Sequence, residues 1–196
     1  LAQALMHPRV LALSVIYFGI VTGMYGLSFW LPQIIKAFGM SNTKTGLVAA
    51  IPYLAAALAM VLWGRHSDAS GERVWHVALP VFIGGAALII GTGDVDHLLA
   101  MILLTIAAAG IFTAMPVFWT LPTALLTGTA AAGGIAMINA IGNIGGFVGP
   151  YLVGWMQGHG YTSAIAVASL ASFAILAGVI VLMLGHDRRL EKSHAA

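Results

Sequence analysis

Asn139 and Asn143 stand one helical turn apart in GGIAMINAIGNIGGFVGPYLVGWM, from Gly133 to Met156, a stretch without a charged residue. Residues at i and i+4 share a helix face, so the two amides would lie side by side. An amide in an apolar helix can bond a neighbouring helix, or it can bind a solute, donating to a carboxylate and accepting from a hydroxyl. Trp119 stands between Pro116 and Pro122. Two prolines predict a broken helix end there, and broken backbone at membrane depth is tolerated only beside protein or a water-filled cavity. Tyr25 and Ser28 follow Gly19 and Gly23 in another apolar run and are further polar groups that could line a cavity. Trp30, next to Pro32 at the end of that run, reads as an interfacial anchor.

A second cluster is charged. GRHSDASGER, Gly64 to Arg73, puts Arg65, Asp68, Glu72 and Arg73 into what reads as a short turn with two glycines. Asp68 is expected to accept hydrogen bonds from a helix N-terminus and to pair with an arginine, which would fasten two helix ends together. The same charges would equally suit a solvated turn.

Other chemistries lack their residues. There are no cysteines, and the seven histidines are scattered without an HxxxH pair, so neither a metal nor a cofactor is expected. The glycines around Asn143 follow no strand, so they are no dinucleotide fingerprint, and no P-loop occurs. No catalytic dyad stands out, and the chain reads as a non-enzyme. An intramembrane carboxylate usually carries a coupling proton, and an intramembrane cation usually binds an anion. The apolar runs hold neither, so a carrier built on this chain would need both from another part of the protein.

The elements that position these groups are read from hydropathy. Of the 196 residues 60% are hydrophobic and 7% charged, against about 25% charged in a soluble domain. Six apolar runs appear, at about 10–35, 46–64, 75–93, 98–121, 133–156 and 163–185, each near the roughly 20 residues that cross a bilayer. Every Asp, Glu, Lys and Arg falls between or outside them. The chain is therefore expected to be an all-α, polytopic membrane protein. Glycines and Pro150 make the fifth run read as a packed, bent, internal helix; the sixth reads as a peripheral support. Arg9, Arg65, Arg73, Arg188, Arg189 and Lys192 would share one side, against Lys36 and Lys44 on the other, which predicts cytoplasmic termini and a cytoplasmic tail at 186–196. The net charge of +2 comes from few groups and implies no nucleic-acid partner. The first run is too long for a cleavable signal peptide. The chain begins with Leu1 rather than Met, as a fragment would.

Six helices with GRHSDASGER after the second resemble the C-terminal half of a major facilitator superfamily transporter, in which a loop of type G-x-x-x-D-x-x-G-x-R follows the second helix of each half. Gly64, Asp68, Gly71 and Arg73 hold those places, with Arg65 beside them. GIAMINAIGNIGGFVGPYLVGWMQ, SFWLPQIIKAFG and FWTLPTALLTGTAAAGG are similar to the anion:cation symporter branch and, within it, to bacterial tartrate transporters. The resemblance spans about His7 to Gly185. It implies one six-helix half of a plasma-membrane symporter, partnered by an N-terminal half, the lipid bilayer, a small organic anion and a coupling proton. It also implies that Tyr25, Ser28 and Trp119 face the path, that Asn139 and Asn143 reach it from the fifth helix, and that the Gly64–Arg73 motif acts as a cytoplasmic gate. In related symporters hydroxyl residues often precede the tryptophan; Pro116 and Phe118 stand there here.

Overall fold

The computed structural model describes residues 7–126 and 129–185; the expected tail at 186–196 lies outside the described residues. Among the described residues seven helices follow one another: α1 (Pro8–Lys36), α2 (Asn42–Ser70), α3 (Val74–Gly91), α4 (His97–Phe118), α5 (Thr120–Leu125), α6 (Thr129–Gly158) and α7 (Ser163–Leu184). α4 and α5 form one span interrupted at Trp119, so six segments are long and apolar enough to cross a membrane. No strand occurs among the described residues. In a bilayer each backbone donor must find its acceptor within the segment, and a helix achieves that.

Most helices run past the apolar runs because their polar ends are capped. Pro8 starts α1, where a missing N–H costs nothing, and the His7 ring accepts from the amide of Arg9. Ser41, Asp96 and Thr162 accept from the first-turn amides of α2, α4 and α7. α2 continues through Ser70, so most of the stretch read as a turn from Gly64 is helix. It stops at Gly71, whose φ of 69° is left-handed and whose N–H reaches the Ser67 carbonyl. A side chain there would be strained, which explains the glycine of the motif.

α1 packs along α6 and α7, α3 along α4 and α7, and α2 chiefly on α4. α1 and α3 are the most buried spans and α2 and α6 the least. The expectation that the fifth run is an internal helix is corrected within this chain. α6 lays one face on α1 and leaves the other exposed, with Phe147, Tyr151 and Trp155 outward. Lipid tails give apolar faces no reason to associate, so close packing has to hold the pair together. Small residues supply it: a Cβ on Gly145 would stand 2.5 Å from the Phe18 carbonyl oxygen, and one on Gly149 2.4 Å from that of Thr22. α7 buries an alanine-rich face against α1 and α3 and exposes Ile165, Leu176 and Met183 on the other.

Candidate functional site: an amide–aromatic cluster and a charged turn

The two asparagines point out of the α1–α6 pair rather than into it. Asn143 Nδ2 donates to the Asn139 carbonyl at 2.7 Å and to Asn139 Oδ1 at 2.8 Å. That arrangement uses the acceptors of Asn139 and leaves its Nδ2 protons to donate outward. Two donors on one nitrogen suit a carboxylate or hydroxyl oxygen.

Trp119 joins this pair through a residue that the sequence reading left outside the site. The Tyr17 ring stacks on Phe118 at 5.3 Å and meets the edge of Trp119 at 4.9 Å. Its hydroxyl interacts with the side chains of both Trp119 and Asn143. Tyr17 fits because Gly142 has no side chain: a Cβ there would fall inside the tyrosine ring. The signal in the sequence was that glycine, set between the asparagines, which demands a bulky partner from another helix. Phe118 is fully buried, and the α4–α5 break falls on Trp119 itself, with Pro116 and Pro122 on either side. The long bond from the Trp119 amide to the Met115 carbonyl, 3.4 Å, marks the weakened ladder.

The structure separates Tyr25 and Ser28 from this cluster. Tyr25 lies over Gly146, one turn beyond Asn143, and is 40% exposed. With Ser28, Met24, Phe29 and Phe112 it lines an open cleft of about 500 Å³. The Ser28 hydroxyl donates to the Met24 carbonyl of its own helix at 2.7 Å, and Tyr53 donates to the Ser28 carbonyl at 3.2 Å. The Ser28 hydroxyl has given its proton to its own helix and can therefore only accept from a solute. The anchor reading of Trp30 is corrected: its indole nitrogen is buried, with no hydrogen-bond partner among the described residues, and burial keeps it from a lipid headgroup. The ring packs against the hydrophobic core of the chain.

At the α2–α3 turn the pairing expected of Asp68 is present: Arg73 Nη1 donates to Asp68 Oδ1 at 2.7 Å and to Ser67 Oγ at 2.9 Å. Ser67 Oγ donates to the Glu72 carbonyl, which ties the turn to the end of α2. Glu72 caps α3: its carboxylate accepts from the amides of Trp75 and His76. Glu72 stands just ahead of the first turn of α3, where the orphan amides and the dipole favour an anion. Gly64 and Arg65 lie on α2 itself, with Arg65 exposed. Among the described residues no group of three or more side chains is placed to hold a metal.

Six spanning segments among the described residues, an exposed amide pair and a charged turn after the second of them fit one class of membrane protein. The sequence profile of the Major Facilitator Superfamily matches residues 13–196, and the chain belongs to that superfamily. It is a multi-pass membrane protein. Among individual proteins it is 43% identical over 176 residues to an Agrobacterium vitis protein named "Putative tartrate transporter", with 90% of this chain and 41% of that protein aligned. It is 35% identical to the "Quinolone resistance transporter" of Acinetobacter baumannii, over 91% of this chain and 41% of that protein. The "Inner membrane transport protein RhmT" of Escherichia coli is 36% identical over 100% of this chain and 46% of its own length. The chain thus spans between about two fifths and a half of the length of these curated relatives.

Proposed function

We propose that residues 1–196 are the C-terminal six-helix half of a secondary transporter that takes up a small organic anion, such as tartrate or a related carboxylate or sugar acid, with a coupling proton. The observation that carries this reading is the exposed Asn139–Asn143 pair, joined to Trp119 through Tyr17, in an apolar helix without a charged side chain. The relatives named for tartrate support the anion. In this reading Asn139 Nδ2 donates to the anion, Trp119 covers its carbon skeleton, and Tyr25 and Ser28 line the approach. Asn143 holds the amide of Asn139 and lies close enough to contact the same solute. The anion's countercharge and the proton carrier come from an N-terminal half, since no Asp, Glu, Lys or Arg lies within the apolar runs. The protein sits in the plasma membrane with the α2–α3 turn and both termini on the cytoplasmic side, as the arginines favour. No cofactor takes part.

The test is accumulation. The complete transporter, in proteoliposomes with an imposed proton gradient, should concentrate one member of a panel of hydroxy-dicarboxylates and lose this when the gradient is collapsed. Binding without accumulation would favour a non-transporting scaffold on the same fold; accumulation that ignores the proton gradient would remove the proton.

The Gly64–Arg73 motif acts in this reading as a gate that holds the outward-open state, alternating access being a rocking of one half on the other. Asp68 is well exposed, and an exposed ion pair contributes at most about 1 kcal/mol. Asp68→Asn should therefore slow turnover by up to about fivefold, while leaving substrate affinity close to wild type. Unchanged turnover would sink the gate.

A further inference from the structure

α2 and α3 both pack on α4, and their ends at the α2–α3 turn are joined by a chain of side chains that the Asp68–Arg73 pair does not use. His66 Nδ1 lies 2.7 Å from His76 Nε2, and His76 Nδ1 lies 2.5 Å from Glu72 Oε2. Trp63 Nε1 donates to the His76 carbonyl at 2.9 Å, and the Trp63 ring stacks on His66 at 5.7 Å. His76 is almost fully buried, whereas His66 is exposed. We infer that Glu72, His76 and His66 form a proton-binding site that tightens the clamp between α2 and α3 when it takes up one proton.

The hydrogen-bond bookkeeping fixes where that proton goes. A carboxylate only accepts, so His76 Nδ1 carries a hydrogen toward Glu72. In the neutral ring Nε2 is then a lone pair, and His66 Nδ1 must donate to it. His66 Nε2 is the remaining open lone pair, and it takes the added proton. No bond is broken by this. Instead His66⁺ donates to His76, which donates to Glu72⁻: the link between the rings becomes charge-assisted, and the link to the carboxylate, charge-assisted already, is strengthened. The charge also comes to rest on the face of Trp63, within cation–π reach. A second proton would have to enter between the rings, where only one hydrogen fits, so the site holds one.

The surrounding charges agree with this placement. Arg73 faces the turn but is bonded to Asp68 and Ser67. Arg65 neighbours His66 on exposed helix surface, so its repulsion is screened by solvent. α1 brings His7 and Arg9 to the same end of the molecule. α4 brings no charged side chain there, since its histidine, His97, is at the opposite end against Phe38; α7 has none among the described residues. A site that gains its charge with one proton responds to the acidity of the compartment it faces. On the reading above, that compartment is the cytoplasm and the turn is part of the gate. Acid delivered inside would then tighten the clamp and slow further uptake.

Two measurements on the complete transporter test this. The first is ¹⁵N NMR of labelled histidine between about pH 7.5 and 5.5. It should show His76 protonated at Nδ1 throughout, a hydrogen bond between the two rings in both states, and one proton gained at His66 Nε2. Two rings titrating independently, without that shared bond, would overturn the site. The second is initial uptake with only the internal pH varied. Wild-type uptake should fall about three- to tenfold from about pH 7.5 to 6, the difference between a neutral and a charged hydrogen bond. His66→Gln, which can still donate to His76 but cannot take a charge, should be flat over that range at normal expression. A variant with the wild-type profile would overturn the proposal. The NMR result with a flat wild-type profile would keep the site and overturn the gate reading instead.

Discussion

Asn139→Ala should lower apparent substrate affinity in the complete transporter by about 10- to 100-fold, the effect of losing a hydrogen bond of about 1.5–3 kcal/mol to a charged group. The fold should hardly notice. Asn143 keeps its bond to the Asn139 backbone carbonyl, which survives the substitution, and loses only the bond to Oδ1. Side-chain hydrogen bonds between polar groups in membrane helices average about 0.6 kcal/mol. The two roles of the amide therefore differ both in size and in readout. Uptake titrations should show a raised half-saturation concentration at near-normal yield in the membrane. Loss of yield and thermal stability with affinity intact would assign Asn139 to packing and take the site away from α6.

Gly149→Ala should do the opposite, harming the fold and sparing no function. The added methyl would lie 2.4 Å from the Thr22 carbonyl oxygen and 3.1 Å from the Gly26 amide nitrogen, all backbone atoms of α1. Backbone cannot rotate aside as a long side chain can, so the two helices must separate. Overpacking of this kind costs typically about 1–3 kcal/mol, and the separation would also draw α6 away from the other α1 contacts at Gly145 and Gly142. The matched control is Gly158→Ala at the far end of the same helix, where nothing lies within 4 Å. Thermal unfolding in detergent should show a clear fall in midpoint for Gly149→Ala and almost none for Gly158→Ala. Equal midpoints would mean that α1 and α6 are not held by this close approach.

How much of this could be read from residues alone depended on the kind of interaction. The six spans were legible because moving a charge into hydrocarbon is costly enough to force Lys, Arg, Asp and Glu to the ends of helices. The break at Trp119 was legible because proline removes a donor wherever it stands. Gly71 was legible as a motif, and its left-handed φ supplies the reason. What could not be read was partnership. The glycines of α6 announced a close neighbour without saying that it was α1, or that Tyr17 would fill the space over Gly142. Trp30 has the composition and position of a boundary anchor, and only packing shows that its nitrogen is buried. Glu72 is one of two acids in the motif, and only the structure shows that α2 runs on through Ser70 and that Glu72 then reaches the first amides of α3.

The contact of α1 with α6 has a mechanical side. Backbone seated on backbone at Gly145 and Gly149 leaves no compressible layer of side chains between the two helices. They behave as one stiff beam that carries Tyr17, Tyr25 and both asparagines without changing the spacing among them. α2 is different, since it meets mainly α4 and touches α1 lightly. On the proposed reading, a rocking of this half would be taken up on the less tightly packed α2 side and would bend the α2–α3 turn.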